Sequence, residues 1–364
     1  MTFRAALEHT LLTIVTTRDL LSLAILSVLL YAFYYPAPYA HQSARALPVV
    51  VVNGDGGTAA RRLLDDLGET RSVRVVGEVP DMVAARGAVR DRKADGILLI
   101  SRDFTGGALT GRGTAGIALW LNGTYLLRAQ SIGTGVAATL AGAIDRWRAA
   151  QGGARLAAMP TILVHPLFNT TLGYRDYIFP AVANIILQQT LLLACARLMA
   201  ERQRRRERRM SVAAALGMWA ACTLVGVLSA LLYFGMIYWI QDIPHAGALP
   251  ALLVAVPVFA ATVAALGLLL GKLFNSGDDA LKILLPTSVP LVFLAGFAWP
   301  LHAMPGWLSA LAWFSPATCA MHIFVPLNQM GASLEDVFGP LAKLMALLAI
   351  YGGLNIWSST NSAR

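Results

Sequence analysis

The side chains best placed to do chemistry in this 364-residue chain are six arginines packed into residues 201–209, Glu-Arg-Gln-Arg-Arg-Arg-Glu-Arg-Arg. Guanidinium groups at that density bind anions, whether the carboxylates of a protein partner or the phosphates of acidic lipid. A long apolar segment adjoins the run on each side. Arginine is costly in hydrocarbon, so the run lies outside the bilayer. An excess of positive charge in a short loop puts that loop on the cytoplasmic face, where a cytoplasmic partner can grip it.

A second group of residues lies inside the apolar segments. Asn184 and Gln188 are four apart, so they share one face of a helix, and Gln189 is beside them. Amides in hydrocarbon need partners, so this face turns either toward other helices or toward a substrate path. Pro286 and Pro290 interrupt a later apolar stretch and predict a kink there. Beyond it, Trp299, Pro300, Met304, Pro305, Trp307 and Trp313 form an aromatic, proline-punctuated segment too broken for a straight span. Short helices dipping into the outer interface suit it, since Trp favours that depth.

Several familiar chemistries are excluded. Gly111, Gly113 and Gly116 satisfy G-x-G-x-x-G, but they precede a predicted strand instead of opening a helix, the reverse of the dinucleotide fingerprint. Residues 267–272 resemble a phosphate loop with one residue too few and no Ser or Thr after the lysine. The six histidines show no metal-pair spacing. Asp65 and Asp66 diverge by about 100° on a helix and cannot work as a pair. The three cysteines, Cys195, Cys222 and Cys319, fall in or beside apolar segments and read as small hydrophobes. The chain is therefore expected to be no enzyme, and to bind no metal, nucleotide or other cofactor of its own.

These residues need a membrane scaffold to position them. The composition, 57% hydrophobic and 13% charged, and the mean hydropathy of +0.60 are far from those of a soluble protein. The net charge of +9 does not point to nucleic acid, because no aromatic-basic stacking module accompanies it. About 20 apolar residues cross a bilayer as a helix. Six segments qualify: residues 20–35, 177–199, 212–240, 249–270, 280–299 and 341–357. With the arginine run inside, alternation puts both termini in the cytoplasm and the polar insert outside. The outer loops 241–248 and 300–340 agree, since neither contains Lys or Arg.

Residues 1–19 carry Phe3, Leu7, Leu11 and Ile14 at helical spacing, which predicts an amphipathic helix in the inner interface. Residues 20–35 form the first span. Residues 36–175 read as an extracytoplasmic α/β domain, with strands at 47–52, 73–79, 96–100 and 117–121 and helices at 59–67, 80–93 and 126–150. Residues 176–358 hold the other five spans, the basic loop 201–210 and the outer segment 300–340. The predicted fold class is an α-helical membrane protein with an inserted α/β domain.

This arrangement resembles the permease subunits of type 2 ABC exporters, above all the subgroup with a large extracytoplasmic domain between the first two spans. Asp95-Gly-Ile-Leu-Leu-Ile-Ser-Arg-Asp-Phe104 is similar to that family's D-G-x-x-x-I-P-x-x-F stretch, with Ser101 for Pro. His165-Pro-Leu-Phe-Asn-Thr-Thr171 resembles its lead into the second span, followed by Phe179-Pro-Ala. Glu201-Arg202 resembles its Glu-Arg-Glu, and Trp299-Pro300 with Met304-Pro-Gly-Trp307 resembles its outer-loop pattern. The chain departs from the family after Glu201-Arg202, where a further arginine-rich stretch replaces Gly-Thr and a later Pro.

The resemblance implies export of a hydrophobic or amphipathic substrate (drug, lipid or glycan) across the bacterial inner membrane. It also implies a separate cytoplasmic ATPase subunit carrying ATP and Mg, a second permease copy and, outside the membrane, room for a periplasmic adaptor. The ATPase-coupling residues it implies are Glu201, Arg202, Arg204, Arg205, Arg206 and Glu207, with the arginines also held against membrane lipid. The outer re-entrant segment it implies contains Trp299, Pro300, Pro305 and Trp307. A membrane-anchored sensor or assembly scaffold is the competing expectation, although one or two spans would serve such a protein.

Overall fold

The computed structural model describes residues 1–39, 46–70, 72–91, 93–102, 104–105, 116–121, 126–150, 173–205, 210–245 and 249–361. The chain forms two compact units, Met1–Ala40 with Pro166–Arg364, and His41–His165.

The first unit opens with helix α1 (Phe3–Thr16), capped by the Thr2 hydroxyl, which accepts from the Ala5 N–H. Its buried face is Ala6, Thr10 and Ile14, so of the predicted stripe of Phe3, Leu7, Leu11 and Ile14 the last is buried and the face lies one step around from the other three. Steric room explains the rotation. Small Ala6 packs against Gly217, where a Cβ would sit 2.9 Å from the Ala6 Cβ. Bulky Phe3 is left 45% exposed. Thr17, in extended conformation, ends α1. Next come α2 (Arg18–Leu21), a π-helical turn (Ser22–Leu26) and α3 (Ser27–Tyr34).

The second unit is a four-stranded sheet with helices on both faces. In chain order it contains β1 (Leu47–Asn53), α4 (Thr58–Gly68), β2 (Val73–Glu78), α5 (Met82–Arg90), β3 (Gly96–Ile100), β4 (Ile117–Leu121) and α6 (Leu126–Ala150). The strand order is β2-β1-β3-β4. β1 pairs in parallel with β2 and β3, and β4 closes the edge antiparallel to β3.

Successive side chains of a strand point to opposite faces, and β1 sorts its residues accordingly. Leu47, Val49 and Val51 pack with Leu63, Leu67, Ile132 and Val136. Val50 and Val52 pack with Ala85 and Ile97 on the other face. The Asp95–Phe104 motif is structural here. Asp95 N–H donates to the Pro48 carbonyl at 2.7 Å, the Asp95 carboxylate pairs with Arg128, and Phe104 is buried in the core. Helix α5 starts two residues later than its proline signal: Asp81 is the cap, and its carboxylate accepts from the N–H groups of Val83 and Ala84.

The first unit then resumes with α7 (Tyr174–Arg204), α8 (Val212–Leu231), a π-helical stretch (Leu232–Ile237), α9 (Tyr238–Ile240) and α10 (Leu249–Gly271). It ends with α11 (Gly277–Leu284), α12 (Ser288–Leu294), α13 (Gly306–Ala312), α14 (Pro316–Gln329) and α15 (Phe338–Asn361). Among the described residues, five helical stretches are long and apolar enough to cross a membrane: Arg18–Tyr39, Tyr174–Arg204, Val212–Ile240, Leu249–Gly271 and Phe338–Ser359. A sixth forms if α13 and α14, bent by 78°, count as one.

The expected span at residues 280–299 is not among them, and this corrects the sequence reading. Pro286, which has no N–H to give, falls in a 3-10 turn (Leu285–Thr287) that separates α11 from α12. Only seven residues of α12 follow before the chain leaves the helix.

α7 is the hub of this unit. Its apolar window is entirely enclosed, whereas the windows of the first and last spans are 28% buried. Close approach explains the tight packing of α10 on it. A Cβ at Gly267 would lie 2.7 Å from Cys195 Cβ, and one at Gly271 would lie 2.8 Å from Met199 Cβ. These are the small-residue contacts by which helices associate in lipid.

Candidate functional site

α7 carries both groups of residues singled out by the sequence, at two levels of one helix. Thirteen positions separate Gln188 from Glu201, about 20 Å along the axis.

At the inner level of the unit, Asn184 is completely buried. Pro180 interrupts the backbone bonding of α7, and the Asn184 amide donates back to the carbonyls of Pro180 (2.9 Å) and Ala181 (3.3 Å). Gln188 reaches across to α14. Its Oε1 accepts from the Ala317 N–H at 2.6 Å and the Ser315 hydroxyl at 3.2 Å. The first N–H groups of a helix have no partner within it, and the N-cap Ser315 makes no capping bond of its own, so Gln188 caps α14 from a neighbouring helix. Gln189 turns to the other break, donating to Ser288 Oγ at 2.7 Å and Thr287 Oγ1 at 3.4 Å. Asn184 Oδ1 and Gln189 Oε1 are buried with no hydrogen-bond partner among the described residues.

The elbow between α13 and α14 is also held from α15. Lys343 Nζ lies 3.5 Å from the centre of the Trp313 ring, a cation–π contact, and Tyr351 donates to the Phe314 carbonyl at 2.8 Å. Pro300 immediately precedes a short 3-10 turn (Leu301–Ala303), and Pro305 immediately precedes α13, neither with a side-chain capping hydrogen bond. Trp299 and Trp307 are exposed, as aromatic side chains at a membrane interface are. Trp299 Nε1 donates to the Ala303 carbonyl, which folds the turn back on itself.

At the arginine end, Glu201 is paired with Arg204, Oε1 to Nε at 2.7 Å. Arg202 is half-buried, while Arg204 and Arg205 are exposed. Arg205 ends the helix with its N–H on the Glu201 carbonyl. Arg206 and Glu207 lie outside the described residues, as does the 165–171 segment.

The sequence reading missed the ionic centre beside this loop. Arg197, one turn before Glu201, donates to Asp19 of α2 at 2.5 Å and to Asp278 of α11 at 2.8 Å. The only local signal for it is spacing: a cation four residues before Glu201 lies on the same face. Lys272, just past α10, was missed as well. Its Nζ donates to the Asn355 carbonyl and to the hydroxyls of Ser358 and Ser359 on α15, at 2.7 to 2.9 Å. Burial pushes its pKa down to about 8. Nearby, the Ser276 hydroxyl and then Lys282 hold Asp279 below its ordinary value. Among the described residues no three His, Cys, Asp or Glu side chains gather as metal ligands.

The model of the ABC-2 family transporter proteins matches residues 18–357, which takes in most of the first unit and all of the second. The chain belongs to this ABC-2 transporter family. With five or six membrane-long apolar helices among its described residues, it is a multi-pass membrane protein of that family.

Two curated relatives are the probable multidrug ABC transporter permeases YbhR of Escherichia coli strain K12 and of Escherichia coli O157:H7. Each is 21% identical over 198 residues, 52% of this chain and 54% of the relative. The chain thus spans about half the length of the curated relatives it matches. No solved structure matches it.

Proposed function

We propose that the chain is the permease subunit of an ATP-driven exporter, of the subgroup with a large extracytoplasmic domain between its first two spans. Two copies pair in the bacterial inner membrane, and a separate ABC ATPase, which carries the ATP and Mg, docks on the cytoplasmic face. The arginine run and both termini are cytoplasmic. The α/β unit stands outside, free to meet an adaptor. The cargo is hydrophobic or amphipathic, and the multidrug designation of the relatives favours a drug-like molecule within that class.

The observation that carries this reading is the layout of α7. One helix with a fully enclosed apolar window braces both broken segments through Gln188 and Gln189 and ends in the charged run of Glu201, Arg202, Arg204 and Arg205. A push on the run is transmitted along a rigid element to the two places where the membrane helices are interrupted. This is the layout a machine needs when ATP is hydrolysed on another subunit.

Affinity purification of the tagged protein from its native membrane in mild detergent tests the proposal. The expected result is an ABC ATPase in stoichiometric amount, with ATP hydrolysis stimulated by a lipophilic dye such as Hoechst 33342. Recovery of a kinase or secretion apparatus instead would favour the sensor or scaffold.

A further inference from the structure

Arg197, Glu201 and Arg204 follow one another at spacings of four and three, so they form a single charged stripe at the end of α7. The Arg197 side chain is 18% exposed, yet the carboxylates it holds, Asp19 and Asp278, are 61% and 74% exposed. Asp19 lies two residues beyond the extended Thr17 that separates α1 from α2. Asp278 lies in the first turn of α11. One planar guanidinium therefore ties the start of the first span and the start of α11 to α7 by separate nitrogens, a fork that Lys cannot reproduce. Gly277 leaves room for it, since a Cβ there would meet Arg197 Cγ at 2.7 Å.

Glu201 is the nearest competing carboxylate in sequence. At four residues from Arg197 it can reach the same guanidinium, but Arg204 holds it, with Oε1 2.7 Å from Nε and 2.5 Å from the second nitrogen. The Arg204 side chain is 62% exposed, so an outside anion can reach it.

We propose that these residues form an ion-pair exchange relay in which Glu201 is the positioning residue. A carboxylate of a cytoplasmic partner engages Arg204 and frees Glu201. Glu201 then pairs with Arg197 and displaces Asp19 and Asp278, which unfastens α2 and α11 from α7. Both displaced carboxylates are already largely in water, so releasing them costs little. Arg197 would lose much more if left unpaired while buried, and Glu201 prevents that. The relay rests on the proposed cytoplasmic partner for its trigger, but its internal exchange can be tested without one.

The test is amide hydrogen exchange of the full chain in lipid nanodiscs, read by mass spectrometry over residues 18–26 and 277–284. Arg204→Ala should free Glu201 and speed exchange in both segments about fivefold. Adding Glu201→Gln to that variant should return both segments to the wild-type rate, and Arg204→Lys should leave them unchanged. Recovery through a second substitution is not expected of a residue with a merely structural role. If Arg204→Ala leaves both segments as in the wild type, or if Arg204→Ala with Glu201→Gln stays fast, the relay is overturned. Failure of ATPase co-purification would refute the exporter reading without altering these exchange rates.

Discussion

The two units of this chain solve opposite packing problems. In the α/β unit, valines and leucines of the sheet are buried on both faces, while ion pairs such as Arg146–Asp66 stay at the surface. In the membrane unit many large apolar side chains also face outward. Leu228, Trp239, Val289 and Phe293 are all more than half exposed, whereas Asn184, Gln188, Thr262, Thr318 and Asn328 are within 3% of complete burial. Water drives the first arrangement. In lipid that drive between helices is absent, so close contacts at glycine and hydrogen bonds between helices must hold the second together. Apolar truncation should therefore damage one unit most, and loss of a buried amide should damage the other.

The largest expected effect is in the α/β unit. Leu98 is fully buried in β3, and Leu98→Ala should cost about 2–5 kcal/mol. Hydrogen exchange of the full chain should show residues 96–100 losing protection while α7 and α10 keep theirs. Loss of protection in both units together would mean that they do not fold independently.

A smaller effect is expected from Gln188→Leu in the membrane unit. The substitution preserves bulk but leaves the buried Ala317 N–H without its acceptor, a loss of about 1–3 kcal/mol. Thermal unfolding in detergent should fall, and exchange should rise at residues 316–320. An unchanged melting temperature would show that the elbow is held by Lys343 and Tyr351 alone.

The smallest effect concerns the loop after β1. Thr105 donates through its hydroxyl and its N–H to the Asp55 carboxylate, and mainly the hydroxyl bond holds the Asp55 pKa below its ordinary 3.8. A depressed carboxylate contributes stability that is complete above its unfolded value and is lost as pH falls through its folded value. Exchange at residues 53–57 should thus be insensitive to pH above about 5, after correction for the intrinsic rate, and should rise on acidification below the normal carboxylate range. Asp55→Asn should abolish that acid dependence.

How much of this was legible differs between the units for the same physical reason. The short apolar runs 96–100 and 117–121 placed β3 and β4 at their observed residues, because a strand buried on a sheet writes its pattern locally. The apolar spans were legible by length and the interruption at Pro286 by its missing N–H, but not that only seven helical residues would follow it. Arg197 was missed because its partners are 178 and 81 residues away, and nothing local marks a long-range ion pair. Asn184, Gln188 and Gln189 were recognisable as amides needing partners. The partners of Gln188 and Gln189, two helix breaks on other segments, follow only from the packing, whereas Asn184 bonds back to its own helix at Pro180 and Ala181.

Orientation is the claim on which the account depends. It can be tested with single cysteines at Val83, 81% exposed in α5, and at Arg205, exposed at the end of α7. The three native cysteines are buried and can be replaced by alanine. In intact spheroplasts a membrane-impermeant maleimide should label position 83 at once and position 205 only after permeabilisation. Labelling of position 205 from outside, with position 83 protected, would contradict the account.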